Sequence, residues 1–318
     1  MPNKRLLSLS LLAGLIIFCG LYYTSHKEEF QLLRSISAQP IIILTLLELL
    51  MILCLGLQMK ILTNHYNLGL TFMQCFGLAR MTSLANLMFG FAAGASVKAV
   101  YLKRFHDLKY GSFIAATAIA SIIKLMIGGL FATALLLTLE HPAKFLLFVA
   151  AAISASTLLF LGLAHKIPPG FFSFWNLISD LVKEWQRIRH DRTMILQLIL
   201  LSIFLYIIYS LEIYFAFGAF GIDASFSVSG VITAFDNLAG AVKLIPGNVG
   251  IKEAIFGIIS AAYGIGINEG VHAAVLHRVI RAVVSLLVGS GFAYNFVSSG
   301  RKPIPVGQID NITSRIAR

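Results

Sequence analysis

Six long stretches of this sequence consist mainly of apolar side chains. They cover residues 6–24, 40–59, 112–139, 144–164, 194–218 and 271–297. A helix needs roughly 20 mainly apolar residues to cross the hydrocarbon core of a bilayer. A membrane-spanning barrel is disfavoured, because its strands would alternate between apolar and polar residues. The sequence therefore predicts an all-α integral membrane protein with about six full transmembrane helices.

The composition excludes several other classes of protein. Hydrophobic residues make up 58% of the chain and charged residues only 12%, whereas soluble domains carry about a quarter charged residues. The net charge of +11 is spread beside the ends of the apolar runs, so we do not expect nucleic-acid binding. Cys19, Cys54 and Cys75 lie within or beside apolar segments without the spacing of a metal site. We predict neither a metal nor a cofactor.

The distribution of basic residues predicts the topology. If the N-terminus is inside and each run crosses once, 15 of the 25 lysines and arginines lie inside, 3 lie outside, and the remaining 7 lie at membrane depth. This asymmetry follows the positive-inside rule. We therefore expect a multi-pass protein of a bacterial or archaeal cytoplasmic (inner) membrane, with both termini cytoplasmic. Residues 1–299 are predicted to form the membrane domain, and residues 300–318 a basic cytoplasmic tail.

Two further apolar stretches, residues 71–100 and 226–264, do not fit a single crossing. The flanking charges predict that the first dips in from the cytoplasmic face and the second from the outer face. Two oppositely oriented re-entrant helix pairs are typical of inverted-repeat transporters, so an inverted repeat is our hypothesis. Residues 171–189 alternate apolar and charged faces at helical spacing, which predicts an amphipathic helix on the cytoplasmic surface.

The motif IPGNVGIKE interrupts the second re-entrant stretch at its predicted membrane depth. We interpret Pro246 and Gly247 as a structural break between two half-helices. Asn248 is expected to cap the second half-helix. Glu253 falls in the first turn of that helix, where the helix dipole favours a carboxylate.

The start of this second half-helix is also a candidate anion site. Backbone N–H groups at a helix start point toward a bound anion, and Gly250 leaves the backbone free to turn there. Lys243 and Lys252 stand on either side of the break. Unwound backbone at membrane depth is tolerated only inside protein or beside a water-filled cavity. We therefore predict a polar pocket at this position.

Two arginines in the last apolar run strengthen this prediction. Arg278 and Arg281 share one helix face and lie near the predicted middle of the membrane. Their guanidinium groups need carboxylates or the phosphate of a substrate. Asp236 and Glu253 are the acids nearest in sequence at the same predicted depth. Arg80, by contrast, is expected to extend its side chain to the cytoplasmic face.

The stretch IPGNVGIKEAIFGIISAAYGIGINEGVHAAVLHRVIRAVVSLLVG resembles the C-terminal signature of the lysylphosphatidylglycerol synthase transmembrane family. That family comprises the flippase domain of the multiple peptide resistance factor and stand-alone relatives. Its pattern is a Pro-Gly break, a glycine, a glutamate three residues later, a glycine-containing stretch and a late arginine. In this sequence the matching positions are Pro246, Gly247, Gly250, Glu253, Gly264 and Arg278.

The first re-entrant stretch departs from the family pattern. Family members commonly carry a proline, then Gly-Glu, then a basic residue. Here Gly94 and Lys98 are retained, but Ala95 replaces the glutamate and the proline is missing. The resemblance implies a stand-alone member without the synthetase domain, so aminoacyl transfer by this chain is not expected.

The resemblance implies a lipid-handling protein, and we predict a flippase-like translocase of phospholipid or lipid-linked head groups. The sequence leaves two alternatives open, namely a membrane-embedded enzyme acting on a lipid-linked substrate and a non-transporting scaffold that recruits a partner through residues 171–189. We find no catalytic motif and predict no enzyme. The expected partners are the lipid substrate and the membrane, and homo-oligomerisation is left open. The predicted substrate-binding residues are Asp236, Lys243, Asn248, Gly250, Lys252, Glu253, Arg278 and Arg281.

Overall fold

The structure is a computed structural model that describes residues 36–89, 97–98, 101–103, 106, 108, 110–166, 176–242 and 250–298. The predicted first span at residues 6–24 and the tail at 300–318 lie outside these residues. The described helices, numbered in chain order, are α1 (Ala38–His65), α2 (Phe72–Phe89), α3 (Tyr110–Leu137), α4 (Lys144–Leu163), α5 (Asn176–Ile188), α6 (Arg192–Gly218), α7 (Phe226–Val242), α8 (Ile251–Ala262) and α9 (Ile267–Ser298).

Five of these helices are long and apolar enough to cross a membrane. They correspond to Ala38–His65, Gly111–Leu137, Lys144–Leu163, Arg192–Gly218 and Ile267–Gly289. Each overlaps one of the predicted apolar runs from residue 40 onward, so the prediction of a multi-span α-helical membrane protein is confirmed. The structural differences lie at the ends, where α1 continues to His65 and α9 begins at Ile267.

Helix α6 lies at the centre of the described bundle. It packs against α1, α3, α7 and α9, and half of its most apolar window is buried. Helix α4 packs mainly on α3, and only 11% of its most apolar 18-residue stretch is buried inside the protein. Its exposed side chains include Phe145, Phe148 and Leu158, as expected for a helix whose outer face contacts lipid. The central helix α6 therefore buries its apolar surface against other helices, whereas the peripheral helix α4 leaves most of its apolar surface uncovered.

Glycines allow the closest helix contacts. A Cβ added to Gly128 on α3 would lie 2.0 Å from the Tyr206 hydroxyl oxygen on α6. A Cβ added to Gly270 on α9 would lie 2.5 Å from the Phe256 carbonyl oxygen on α8. Membrane helices commonly approach each other at small residues because van der Waals packing is what holds them together. The Gly270 contact brings α8 against α9, which positions the candidate site described below.

Helix α5 packs its apolar face on the protein. Val182, Trp185 and Ile188 are buried, mainly against α3, and the Trp185 indole N–H donates to the Leu161 carbonyl at 2.9 Å. The described part of residues 171–189 is thus an amphipathic helix that rests on other helices. Its predicted location at the cytoplasmic membrane surface stays a prediction.

Polar contacts join α5 to the ends of α1, α3 and α6. The Nδ1 atom of His65 lies 3.1 Å from Asp191, and the Tyr66 hydroxyl lies 2.9 Å from Glu184 and 2.8 Å from the Ser112 carbonyl. We call this the helix-end cluster, which comprises His65, Tyr66, Glu184, Arg187 and Asp191. Burial and the neighbouring Glu184 carboxylate raise the pKa of the Tyr66 hydroxyl well above its ordinary value, so the group remains a neutral donor.

Candidate functional site

Helices α7 and α8 do not continue each other as one rod. The Lys252 ammonium near the start of α8 lies 3.7 Å from the Asp236 carboxylate within α7. In one straight helix these residues would be separated by about 24 Å, at 1.5 Å per residue. The chain therefore turns between Val242 and Ile251. Residues 243–249, including the predicted break at Pro246 and Gly247, lie outside the described residues.

The start of α8 is built by a glycine and a glutamate. Gly250 precedes the helix with a φ of +86°, a backbone conformation that glycine adopts without a steric cost. Its N–H donates to the Glu253 carboxylate at 2.8 Å. The helix cap is thus Gly250 with Glu253, and the prediction that Asn248 caps this helix is wrong. The position of Glu253 in the first turn is confirmed.

Glu253 also holds Arg278 of α9. The guanidinium Nη2 donates to one carboxylate oxygen at 3.0 Å, and Nη1 lies 2.5 Å from the other oxygen, so the guanidinium faces both oxygens of the carboxylate as a close ion pair. Both side chains are mostly buried, with 12% of Arg278 and 17% of Glu253 exposed. One carboxylate therefore fixes the start of α8 and orients an arginine of α9.

The Lys252 side chain points into the protein and reaches α6 and α9. Its ammonium lies 3.0 Å from the Tyr209 hydroxyl and 2.7 Å from Nδ1 of His277. The other imidazole nitrogen, Nε2, lies 2.9 Å from the Glu212 carboxylate. Tyr209 in turn donates a hydrogen bond to Asp236. Four helices, α6, α7, α8 and α9, are thus joined by one continuous chain of hydrogen bonds.

These contacts define the protonation state of His277. A charged lysine carries only N–H donors, so Nδ1 of His277 must accept the hydrogen bond from Lys252. Nε2 then carries the proton and donates a hydrogen bond to Glu212. The imidazole between them is neutral and links the Lys252 ammonium to the Glu212 carboxyl group.

Arg281 lies on the other side of Tyr209. Its guanidinium carbon is 5.7 Å from the centre of the Tyr209 ring, and its Nε is 3.9 Å from the Glu48 carboxylate of α1. This ion pair is loose, and 42% of the Arg281 side chain is exposed while only 4% of Glu48 is. Arg281 therefore pairs with a buried carboxylate, while part of its own side chain remains exposed. We call the network of these residues the central cluster, and its members are Glu48, Tyr209, Glu212, Asp236, Lys252, His277 and Arg281.

Arg80 of α2 adds a further positive charge beside the central cluster. Its side chain is only 1% exposed, so the prediction that it reaches out to the cytoplasmic face is wrong. Glu48 lies close enough to interact with it electrostatically. Helix α2 packs against α1 and α9, and these neighbours enclose the guanidinium within the bundle.

The comparison with known proteins is decisive for the family. The sequence profile described as "Lysylphosphatidylglycerol synthase TM region" matches residues 5–289. The chain belongs to this family. No curated protein and no solved structure matches the chain. The membership covers nearly all of the predicted membrane domain and agrees with the resemblance carried by the Pro-Gly motif and Arg278.

The structure brings together five of the eight predicted substrate-binding residues in this family member. Lys252 meets Asp236, Glu253 meets Arg278, and Arg281 lies against the same cluster. Gly250 forms the helix start next to them. Lys243 and Asn248 lie outside the described residues.

One of the two acids predicted to pair with the arginines has a different partner in the structure. Asp236 and Glu253 were the acids expected beside Arg278 and Arg281. Glu253 pairs with Arg278, but Arg281 has Glu48 as its ion-pair partner. Asp236 instead holds Lys252 and Tyr209. The role of each residue in binding a substrate stays a prediction.

The predicted substrate-binding set omits four members of the central cluster, Glu48, Tyr209, Glu212 and His277. A signal for two of them is present, because Tyr209 and Glu212 are three residues apart and so share one face of an apolar helix. His277 stands directly before Arg278. Its role depends on α6 and α8 lying on the same side of α9, which no spacing within α9 reveals. Among the described residues, no group of acidic, cysteine or histidine side chains is arranged to hold a metal ion.

Proposed function

We propose that this protein moves phospholipid or lipid-linked head groups across a bacterial or archaeal cytoplasmic membrane. Membership of the lysylphosphatidylglycerol synthase transmembrane family supports a lipid-related membrane role. The 15-to-3 distribution of basic residues supports cytoplasmic termini. Helix α8, with 12 residues, is too short to cross the bilayer, and the contact of Lys252 with Asp236 folds it back on α7, which supports a re-entrant pair; the flanking acids Asp223 and Glu269 support its opening to the outer face.

The observation that carries this proposal is the placement of Arg278 and Arg281. Both lie more than ten residues into α9, and charged side chains at such depth cost about 2.5–3.5 kcal/mol on insertion scales unless they are paired or hydrated. Arg278 is tightly paired with Glu253, whereas Arg281 has a loose partner and an open face. A phosphate entering from that face would meet Arg281 first and Arg278 one helical turn away.

The groups around the site would have different roles in binding a head group. Phosphate is recognised by guanidinium groups through charge-assisted hydrogen bonds. The start of α8 offers backbone N–H donors, and Glu253 and Asp236 keep the neighbouring cations in position. The acyl chains would remain in lipid beside α9 while the head group passes through the protein.

The test is transport by the full-length protein in reconstituted vesicles. Arg278→Ala should abolish movement of a fluorescent phospholipid between leaflets, because the guanidinium and its hold on the start of α8 are both removed. Arg189→Ala is the matched control, since this arginine is exposed and lies after α5. Undiminished transport by a folded Arg278→Ala protein would contradict the proposal.

A further inference from the structure

The guanidinium of Arg80 has an unfilled edge inside the protein. The side chain is 1% exposed, and its Nε and Nη2 atoms have no hydrogen-bond partner. These two nitrogens form the side-on edge of the guanidinium, the edge that binds two oxygens of one carboxylate or phosphate. Buried polar groups nearly always find partners, so an unfilled bidentate edge indicates a place for an oxyanion.

In the described part of the chain, Arg80 has no carboxylate that pairs with it and with no other cation. Among the described residues, no acid lies within 4.0 Å of its nitrogens in an ion pair, and the nearest opposite charge, Glu48, also serves Arg281. Lys98 lies close enough to Arg80 for the two positive charges to repel. A buried charge without its own partner is strongly unfavourable. The surroundings of Arg80 therefore favour an additional negative charge.

The charges of the whole region lead to the same conclusion. Five cationic side chains face four carboxylates in the described residues of this region, so the positive charges exceed the negative ones by at least one. The cationic groups are Arg80, Lys98, Lys252, Arg278 and Arg281, and the acidic groups are Glu48, Glu212, Asp236 and Glu253. Glu48 and Glu212 also interact with each other, and sharing one proton would increase the positive excess.

We propose that Arg80 is a phosphate-binding residue that holds the phosphodiester of a lipid head group opposite Arg281. This inference rests on the proposed function and names a contact from α2 that the signature motif lacks. Glu48 lies 3.9 Å from the Nε atom of Arg281 and also interacts electrostatically with Arg80, so a phosphate bound by the two arginines would compete with this carboxylate. A phosphodiester carries one negative charge and two free oxygens, which match the excess charge and the unfilled edge.

The first experiment measures binding by the full-length protein in nanodiscs of uncharged lipid. Short-chain phosphatidylglycerol is titrated into the wild type and the Arg80→Lys variant, which keeps the charge but loses the two-nitrogen edge. We expect at least about a tenfold loss of affinity, since a lysine cannot replace the paired charge-assisted hydrogen bonds of the guanidinium edge. Arg189→Lys is the control and should bind like the wild type. Equal affinities of Arg80→Lys and the wild type would overturn the inference.

Inorganic phosphate is the second arm and separates lipid from free anion. We expect it to compete with phosphatidylglycerol only weakly, because the acyl chains contribute to binding from the lipid side. Inorganic phosphate that binds as tightly as the lipid, with the same loss in Arg80→Lys, would overturn the assignment to a lipid.

A second variant keeps the test decisive if Arg80→Lys does not fold. Glu48→Gln removes the competing carboxylate, so phosphatidylglycerol should bind at least about threefold more tightly, because a like charge beside the phosphate is lost. Unchanged or weaker binding by folded Glu48→Gln would show that Glu48 is only a structural partner of the arginines, and this would overturn the inference.

Arg281→Lys separates this inference from the proposed function. Weaker binding by Arg281→Lys with unchanged binding by Arg80→Lys removes the role of Arg80 and leaves the proposed site in place. Unchanged binding by both variants contradicts the proposed site and the inference together. Weaker binding by both variants supports both.

Discussion

The helix-end cluster and the central cluster both place a histidine beside carboxylates, yet they differ in how completely their polar groups are satisfied. In the helix-end cluster, Tyr66 and Asp191 bond to backbone groups of α3 and α6 as well as to side chains, and one buried atom, Nε2 of His65, has no hydrogen-bond partner. In the central cluster, Glu48 and Glu212 each have one buried oxygen whose only polar neighbour is the other carboxyl group, and the neighbouring Arg80 has two nitrogens without a hydrogen-bond partner.

This difference indicates two roles for similar residues. Polar groups that bond to backbone at helix ends hold the helices in place, and nothing further is required of them. Unfilled donors and acceptors in an apolar bundle cost free energy in the empty protein, and a bound guest would recover it. We therefore expect substitutions in the helix-end cluster to change stability, and substitutions in the central cluster to change transport.

The largest expected effect is on transport, from Glu253→Ala. This change leaves Arg278 without its carboxylate partner and the Gly250 N–H without its acceptor. Transport in reconstituted vesicles should fall at least about tenfold, since losing one partner of a charged hydrogen bond costs about 1.5–3 kcal/mol. Glu140→Ala, an exposed acid, is the control. Normal transport by Glu253→Ala would remove the start of α8 from the functional site.

Gly270→Ala should lower the free energy of unfolding by about 1–3 kcal/mol, the usual cost of overpacking. The added methyl group would lie 2.5 Å from the Phe256 carbonyl oxygen, so α8 must move away from α9. Thermal unfolding followed by circular dichroism measures the change, and transport should fall with it. Gly162→Ala is the matched control because a methyl group there meets nothing within 4 Å. Equal stability of the two variants would contradict the close contact.

Asp191→Asn tests the helix-end cluster. The Asp191 carboxylate accepts from the Met194 N–H at 3.0 Å, and this bond, together with His65, lowers its pKa below the ordinary value of 3.8. A lowered pKa in the folded state stabilises the protein above pH 3.8, and the contribution is lost as the pH falls through the folded-state value.

The Asp191→Asn variant should therefore unfold at a lower temperature than the wild type at pH 7. The difference should shrink as the pH falls below about 4, because the wild type then protonates its own carboxyl group. Transport per folded molecule should be unchanged at pH 7. A loss of transport without a loss of stability would show that the helix-end cluster takes part in function.

The smallest expected effect concerns His277→Gln. A glutamine can present its carbonyl oxygen to Lys252 and its amide N–H to Glu212, as the neutral imidazole does. Transport should stay within about threefold of the wild type, because glutamine keeps both hydrogen bonds, whereas losing a bond to a charged partner costs about 1.5–3 kcal/mol. His277→Leu, which has neither group, should lose far more. Equal losses in both variants would contradict the neutral imidazole assigned from the contacts.

Length and hydropathy predicted most of the fold because a bilayer imposes a fixed thickness on every crossing helix. The apolar runs from residue 40 onward match the five candidate spans for that reason. A turn between α7 and α8 was predictable, since proline and glycine disfavour a continuous helix, but Pro246 and Gly247 themselves lie outside the described residues. Helix ends such as His65 were misplaced because helices extend beyond the hydrocarbon region.

The candidate site was predictable only in part. Arg278 and Glu253 were identified because charges at membrane depth are costly and so indicate a partner or a pocket. The choice of Glu48 as the partner of Arg281 depends on α1 lying next to α9, and the role of His277 depends on α6 and α8. Such neighbours are set by packing between distant segments, which helical spacing within one segment does not contain.

The central position of α6 restricts how the protein can open. Because α6 is surrounded by α1, α3, α7 and α9, shifting it would disrupt four helix interfaces at once. Helix α8 is short and rests mainly on α7 and α9. If the protein opens as proposed, exposing the Glu212 carboxyl group of α6 to one side of the bilayer therefore requires the least rearrangement when α8 moves away and α6 stays in place.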